Sequence, residues 1–107
     1  GPIYSHMGVI TSESPSGTEW KSRIALWPDK TTPDKCNIDA VKLQKVGDNL
    51  WQLKITPSVK EFFMQNTQME PPYEFKADEQ LLSIEFVLRN ADGTMENRIL
   101  NYCCPIQ

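Results

Sequence analysis

The sequence predicts an all-β domain: an immunoglobulin-like β-sandwich of about seven antiparallel strands with one short helix. Three observations carry this expectation. Apolar and polar residues alternate in short runs, Gly, Pro, Asn and Asp divide those runs, and only one stretch has helical spacing. At 107 residues the chain has the size of one domain, residues 1–107, built on a single core.

Each element follows from its own pattern. Ile3, Met7 and Val9 share one face of a first strand, and Ser12 to Gly17 has loop composition. Trp20 to Trp27 reads as the second strand, with Ile24 and Leu26 on one face and Lys21, Arg23, Ala25 and Trp27 on the other; Pro28 to Pro33 closes it. Ile38 to Val46 carries Val41 and Leu43, and Gly47-Asp48-Asn49 turns it into a run with Trp51, Leu53 and Ile55 on one side, which makes a hairpin. Pro57 opens the helix, Ser58 to Met64, whose Val59, Phe62 and Phe63 plug one end of the sandwich. Gln65 to Gln80 is long enough to be a binding or lid loop. Leu82, Ile84, Phe86 and Leu88 form the clearest inward face, opposed by Ser83, Glu85, Val87 and Arg89. Asn90-Ala91-Asp92-Gly93 is a turn, and Met95 to Cys103 returns as the last strand. The expected core is therefore Ile24, Leu26, Val41, Leu43, Trp51, Leu53, Leu82, Ile84, Phe86 and Leu88.

Composition excludes several functions. The net charge is −3 and the two signs interleave along the chain, so no clustered basic face is available for nucleic acid. The apolar runs are far shorter than the roughly 20 residues of a transmembrane helix. One histidine, His6, and no nucleophile-elbow sequence leave no basis for triad catalysis, and no enzyme activity is expected. Glu13, Glu19, Asp78 and Glu79 read as solvated surface acids. A phosphate-binding glycine loop is missing, and Cys36, Cys103 and Cys104 lack zinc-motif spacing, so neither cofactor nor metal is expected. The three cysteines leave two readings open, free thiols or a disulfide from Cys36 to Cys103 or Cys104.

The aromatic residues are more informative. Trp51 falls on an alternating face and is expected in the core. Trp27 falls opposite Ile24 and Leu26, which places it at a rim or in solvent. An exposed tryptophan can stack on the C–H face of a sugar ring while nearby polar groups bond its hydroxyls. Trp20 and Trp27 are the candidate platforms, with Lys21, Arg89, Asn90 and Asp92 as hydrogen-bonding candidates.

Four segments in order, Tyr4-Ser5-His6-Met7-Gly8-Val9-Ile10-Thr11, Trp20-Lys21, Asn49-Leu50-Trp51-Gln52-Leu53 with Ile55-Thr56-Pro57-Ser58, and Phe86-Val87-Leu88-Arg89-Asn90-Ala91-Asp92-Gly93, carry a resemblance over nearly the whole chain. The series resembles small modules attached to secreted or surface-anchored glycan-utilisation proteins of Bacteroidetes, including those related to starch-binding outer-membrane lipoproteins. In outline it is also similar to starch- and glycogen-binding β-sandwich modules. The resemblance implies non-catalytic binding of an α-glucan or related polysaccharide, an extracytoplasmic setting, and covalent attachment to other domains. It also implies that Ser5-His6-Met7, otherwise readable as a cloning remnant, is native strand. A structural spacer in a larger glycan-processing protein is the alternative. A ligand site requires at least one exposed tryptophan flanked by polar groups, whereas a spacer would bury all three.

Overall fold

The computed structural model describes residues 1–28, 33–96 and 102–105, with Pro33, Asp34 and Tyr102–Pro105 defined by backbone alone. Its strands are β1 (Tyr4–Thr11), β2 (Lys21–Ile24), β3 (Gln44–Gly47), β4 (Leu50–Gln52), β5 (Leu81–Arg89) and β6 (Tyr102–Pro105). Two helical segments, α1 (Pro33–Cys36) and α2 (Val59–Asn66), and a 3-10 turn at Asp39–Val41 complete the order. The fold is predominantly β, with a four-stranded antiparallel sheet in the order β2-β1-β5-β6 and a separate β3-β4 hairpin.

β1 is the organising strand. It pairs with β5 along its full length, from Tyr4 opposite Arg89 to Thr11 opposite Leu81, and with β2 on its other edge. Pairing on both edges leaves both faces to be covered, so nearly every β1 residue is buried and Ser5-His6-Met7 is interior strand. One face carries Met7, Val9 and Ile84, which pack with Ile24, Val41, Phe62 and Phe63 into the main apolar cluster. The opposite face carries Tyr4, His6 and Gly8 beside Arg89, Val87 and Glu85.

The helix expected at Ser58 to Met64 is α2, two residues longer at its end than its apolar spacing indicates. Ser58 caps it by accepting the Glu61 amide at 3.2 Å, satisfying one of the donors that a helix start leaves open. Phe62 and Phe63 are buried, and the Ser22 hydroxyl donates to the Phe63 carbonyl at 3.2 Å, tying α2 to β2.

Several expectations need correction. The second strand is four residues long rather than eight, because Ser22 and Ala25 adopt φ of 51° and 62° and break the pleat. The inversion turns Ala25 inward and leaves Leu26, expected in the core, exposed. Ile38 to Val46 is not continuous strand. Its 3-10 turn buries Val41, Leu43 bonds through its amide to the Ile3 carbonyl at 2.9 Å, and only Gln44–Gly47 pairs with β4. Trp51 is 36% exposed rather than core, since the hairpin is short and covers little. On β5, Leu82 is 47% exposed, while Val87 and Arg89 of the expected outer face are buried, because β5 lies inside the sheet between β1 and β6. The last strand, expected from Met95 to Cys103, is described from Tyr102 to Pro105; Met95 and Glu96 are not part of it, Glu96 forming an isolated bridge to Arg89, and residues 97–101 lie outside the described residues. Cys36 is buried, and Cys103 and Cys104, its partners in the disulfide reading, belong to the segment defined by backbone alone.

Candidate functional site

The His6 face of the sheet brings together His6, Trp20, Trp27 and Arg89. Gly8 sits directly under Trp20. A Cβ at position 8 would lie 2.9 Å from Trp20 Cβ and 3.1 Å from its Cε3, so only glycine lets this ring settle on the sheet. The His6 ring packs against Trp20 with centroids 5.7 Å apart and meets Trp27 edge-on at 5.1 Å. The two tryptophans thus flank one histidine on one face, although they come from opposite ends of the irregular β2 segment. Both are half-buried.

The other candidates are distributed unequally. Lys21 is half-buried beside Trp20, 3.9 Å from Glu19 through its ammonium group. Arg89 is 2% exposed and its guanidinium is committed internally. It donates to the carbonyls of Cys36 (2.6 Å) and Asn90 (2.9 Å) and to Asn37 Oδ1 (2.8 Å). The same group lies 5.1 Å from the Tyr4 ring centroid and 5.9 Å from that of Trp27. Burial lowers the Arg89 pKa, offset in part by Cys36 and Tyr4. Asn90 and Asp92 are bound up in the turn. Asn90 Oδ1 accepts the Met95 amide, and Asp92 Oδ1 accepts both the amide and the hydroxyl of Thr94, the latter at 2.7 Å. Hydrogen bonding to Thr94 holds the exposed Asp92 carboxyl below its usual pKa. Asn90, Asp92 and Arg89 border a hollow at the chain start, whereas Trp20 and Lys21 border another, so the six candidates do not form one site.

The Trp20 hollow has a volume of about 510 Å³ and is lined by His6, Thr18, Glu19, Trp20, Lys21, Arg23, Met69 and Tyr73. It joins an aromatic floor to acidic, basic and hydroxyl groups at its rim, the combination that orients a polar ligand with apolar faces. Residues from the loop after α2 form one wall. Sequence reasoning marked that loop by length and did not single out Tyr73 or Glu79.

Glu79 is the loop's anchor. It is 6% exposed, which corrects its reading as a solvated acid. Its Oε2 accepts the Thr11 hydroxyl at 2.5 Å and the Tyr73 hydroxyl at 2.6 Å, while Oε1 accepts the Lys76 amide at 2.9 Å. Burial acts to raise the Glu79 pKa, but these donors outweigh it and leave the carboxyl below its usual range. Burial and the neighbouring carboxylate push the Tyr73 hydroxyl up to about 12. Lys76 is ion-paired with Glu13, a second tie between loop and β1.

On the reverse face, Trp51, Leu43, Leu53 and Ile55 stand opposite Met7, Ile84, Phe86 and Leu88 across an apolar groove of about 430 Å³. Among the described residues, no three His, Cys, Asp or Glu side chains converge as a metal site, and no helix is long and apolar enough to cross a membrane. Comparison of the chain with protein-family models, curated proteins and solved structures finds no match.

Proposed function

We propose that this domain is a non-catalytic carbohydrate-binding module for an α-glucan or related polysaccharide, with Trp20 as its stacking platform. The observation that carries the reading is the half-buried Trp20 at a hollow that Glu19, Lys21 and Arg23 also line. Its apolar face suits the C–H face of a sugar, and the charged rim suits hydroxyl groups. None of the three tryptophans is buried, which favours a ligand site over a spacer. Trp27 joins the same face through His6 and supports the platform from the side.

The proposed frame is an immunoglobulin-like sandwich in which the β3-β4 hairpin forms the beginning of a second layer over Met7, Ile84 and Phe86. The setting proposed with it is a larger extracytoplasmic glycan-utilisation protein of the Bacteroidetes type, secreted or held at the outer-membrane surface. A single site of this kind binds weakly, and attachment beside other glycan-handling domains raises its effective concentration.

Pull-down on insoluble starch and on other polysaccharides tests the reading. Retention on starch that is lost in Trp20→Ala supports it; failure of the intact chain to bind any polysaccharide would falsify it and favour the spacer.

A further inference from the structure

The Trp20 hollow does not end at Tyr73. Arg23, Met69 and Tyr73 also line a second, larger hollow of about 910 Å³ that runs on past Leu26 and Lys35 to Glu70. These three side chains line both hollows and form the saddle at which the two adjoin, the first reaching Glu19 and the second the Lys35–Glu70 ion pair at 3.4 Å. Small-ligand sites have volumes of roughly 300–1,000 Å³. The second hollow alone approaches that upper bound, and the whole groove exceeds what one or two sugar rings would fill.

Tyr73 is built to stay in place on the saddle. Its hydroxyl is held by Glu79, and Phe75 meets its ring edge-on at 5.1 Å. The Lys21 ammonium lies 5.7 Å from the ring centroid, so one face of the ring is covered by a half-buried side chain whose ion pair, to Glu19 at 3.9 Å, is a weak one that a ligand can displace. When displaced, Lys21 stays within reach of hydroxyls on the ligand. The carboxylate of Glu79 touches no part of the groove's open space directly and acts through Tyr73.

We propose that the site is an extended groove for a glucan chain, with Tyr73 as its second stacking platform and Glu79 as the positioning residue that fixes Tyr73. This rests on the glycan-binding reading and adds a chain-length requirement to it. The groove engages successive units of one chain, Trp20 at one end and Tyr73 at the saddle.

Calorimetric titration of the intact chain with α-linked glucose oligomers, from the disaccharide to the heptasaccharide, tests this. Affinity rises with length in the wild type, by a factor on the order of ten for the added platform. Tyr73→Ala removes that increment, Tyr73→Phe retains the ring and most of the increment, and Trp20→Ala abolishes binding at every length. Glu79→Gln reduces the increment through Tyr73. Arg23→Ala, at an exposed saddle position, reduces the increment severalfold and decides the matter should Tyr73→Ala not fold. Equal affinity at all lengths, or an increment untouched by Tyr73→Ala and Arg23→Ala while Trp20→Ala still abolishes binding, overturns the extended groove and leaves the glycan reading standing. No binding of any oligomer overturns the extended glucan groove, and no retention on any polysaccharide in the pull-down overturns the glycan reading as well.

Discussion

The Tyr73 hydroxyl and the Thr11 hydroxyl donate to the same oxygen of Glu79, at 2.6 Å and 2.5 Å, and so fasten the loop after α2 to the end of β1. The fastening has a pH signature on each side. Glu79 has a folded pKa depressed below 4.5, so its contribution is present above that value and is lost as pH falls through the folded pKa. Tyr73 has a folded pKa raised from 10.0 to about 12, so its contribution is complete below 10.0 and is lost as pH rises toward 12. Glu79→Gln should destabilise the domain at neutral pH by roughly 1–3 kcal/mol, the cost of leaving buried donors poorly matched. Urea unfolding followed from neutral pH into acid checks this: the gap between variant and wild type should narrow as pH falls through the folded pKa of Glu79, and a gap that never narrows would assign the loss to packing.

Arg89 shows how a residue with surface chemistry in sequence becomes an internal fastener. It joins β5 to the Cys36–Asn37 segment through planar, divergent donors. Arg89→Lys keeps the charge and loses the fork, so it should not rescue Arg89→Ala. Both variants should lose more than about 2 kcal/mol, since hydrogen bonds to a charged group contribute roughly 1.5–3 kcal/mol each. Thermal denaturation distinguishes the cases; full stability in Arg89→Lys would mean that charge alone suffices.

The positions legible in the sequence are those where the pleat or the helix is regular. Met7 and Val9 on one face of β1, Ile84 on β5, and Phe62 and Phe63 on α2 are buried as their spacing requires. Parity failed where the backbone departs from the pleat: positive φ at Ser22 and Ala25 exchanged the environments of Ala25 and Leu26. It failed again on β5, where alternation assumes one wet face and neighbouring strands with covering loops leave none. Glu79 was illegible for another reason. Its partner Thr11 is 68 positions away, and nothing local distinguishes a buried, triply bonded Glu from the solvated Asp78 beside it. Trp20 could be picked out by residue type, whereas its companion Tyr73 depends on how a long loop folds back.

The Asp92-Gly93 turn gives a sharper case of local chemistry meeting tertiary packing. Gly93 has φ of +75°, and a Cβ there would lie 3.2 Å from Trp27 Nε1 and 3.3 Å from Pro28 Cγ. Gly93→Ala therefore combines backbone strain of roughly 1–2 kcal/mol with pressure on Trp27. It should lower the unfolding midpoint and shift tryptophan emission. A midpoint change without a spectral change would confine the effect to the turn.

Gly8 tests the platform without touching any group that meets the ligand. Ala at this position has an ordinary strand conformation available, so the substitution brings no backbone strain; its methyl group would instead run into Trp20 Cβ at 2.9 Å and the Lys21 carbonyl at 3.3 Å. Trp20 must then lift from the sheet, with its packing on His6 disturbed. Overpacking of this kind costs typically 1–3 kcal/mol, so the domain should remain folded but less stable. On the proposed glycan reading, starch retention should fall in both Gly8→Ala and Trp20→Ala, because the same ring is displaced in one and removed in the other. Unchanged retention in a destabilised Gly8→Ala would show that the position of Trp20 on the sheet does not matter for binding, and would transfer the platform's role to another aromatic residue.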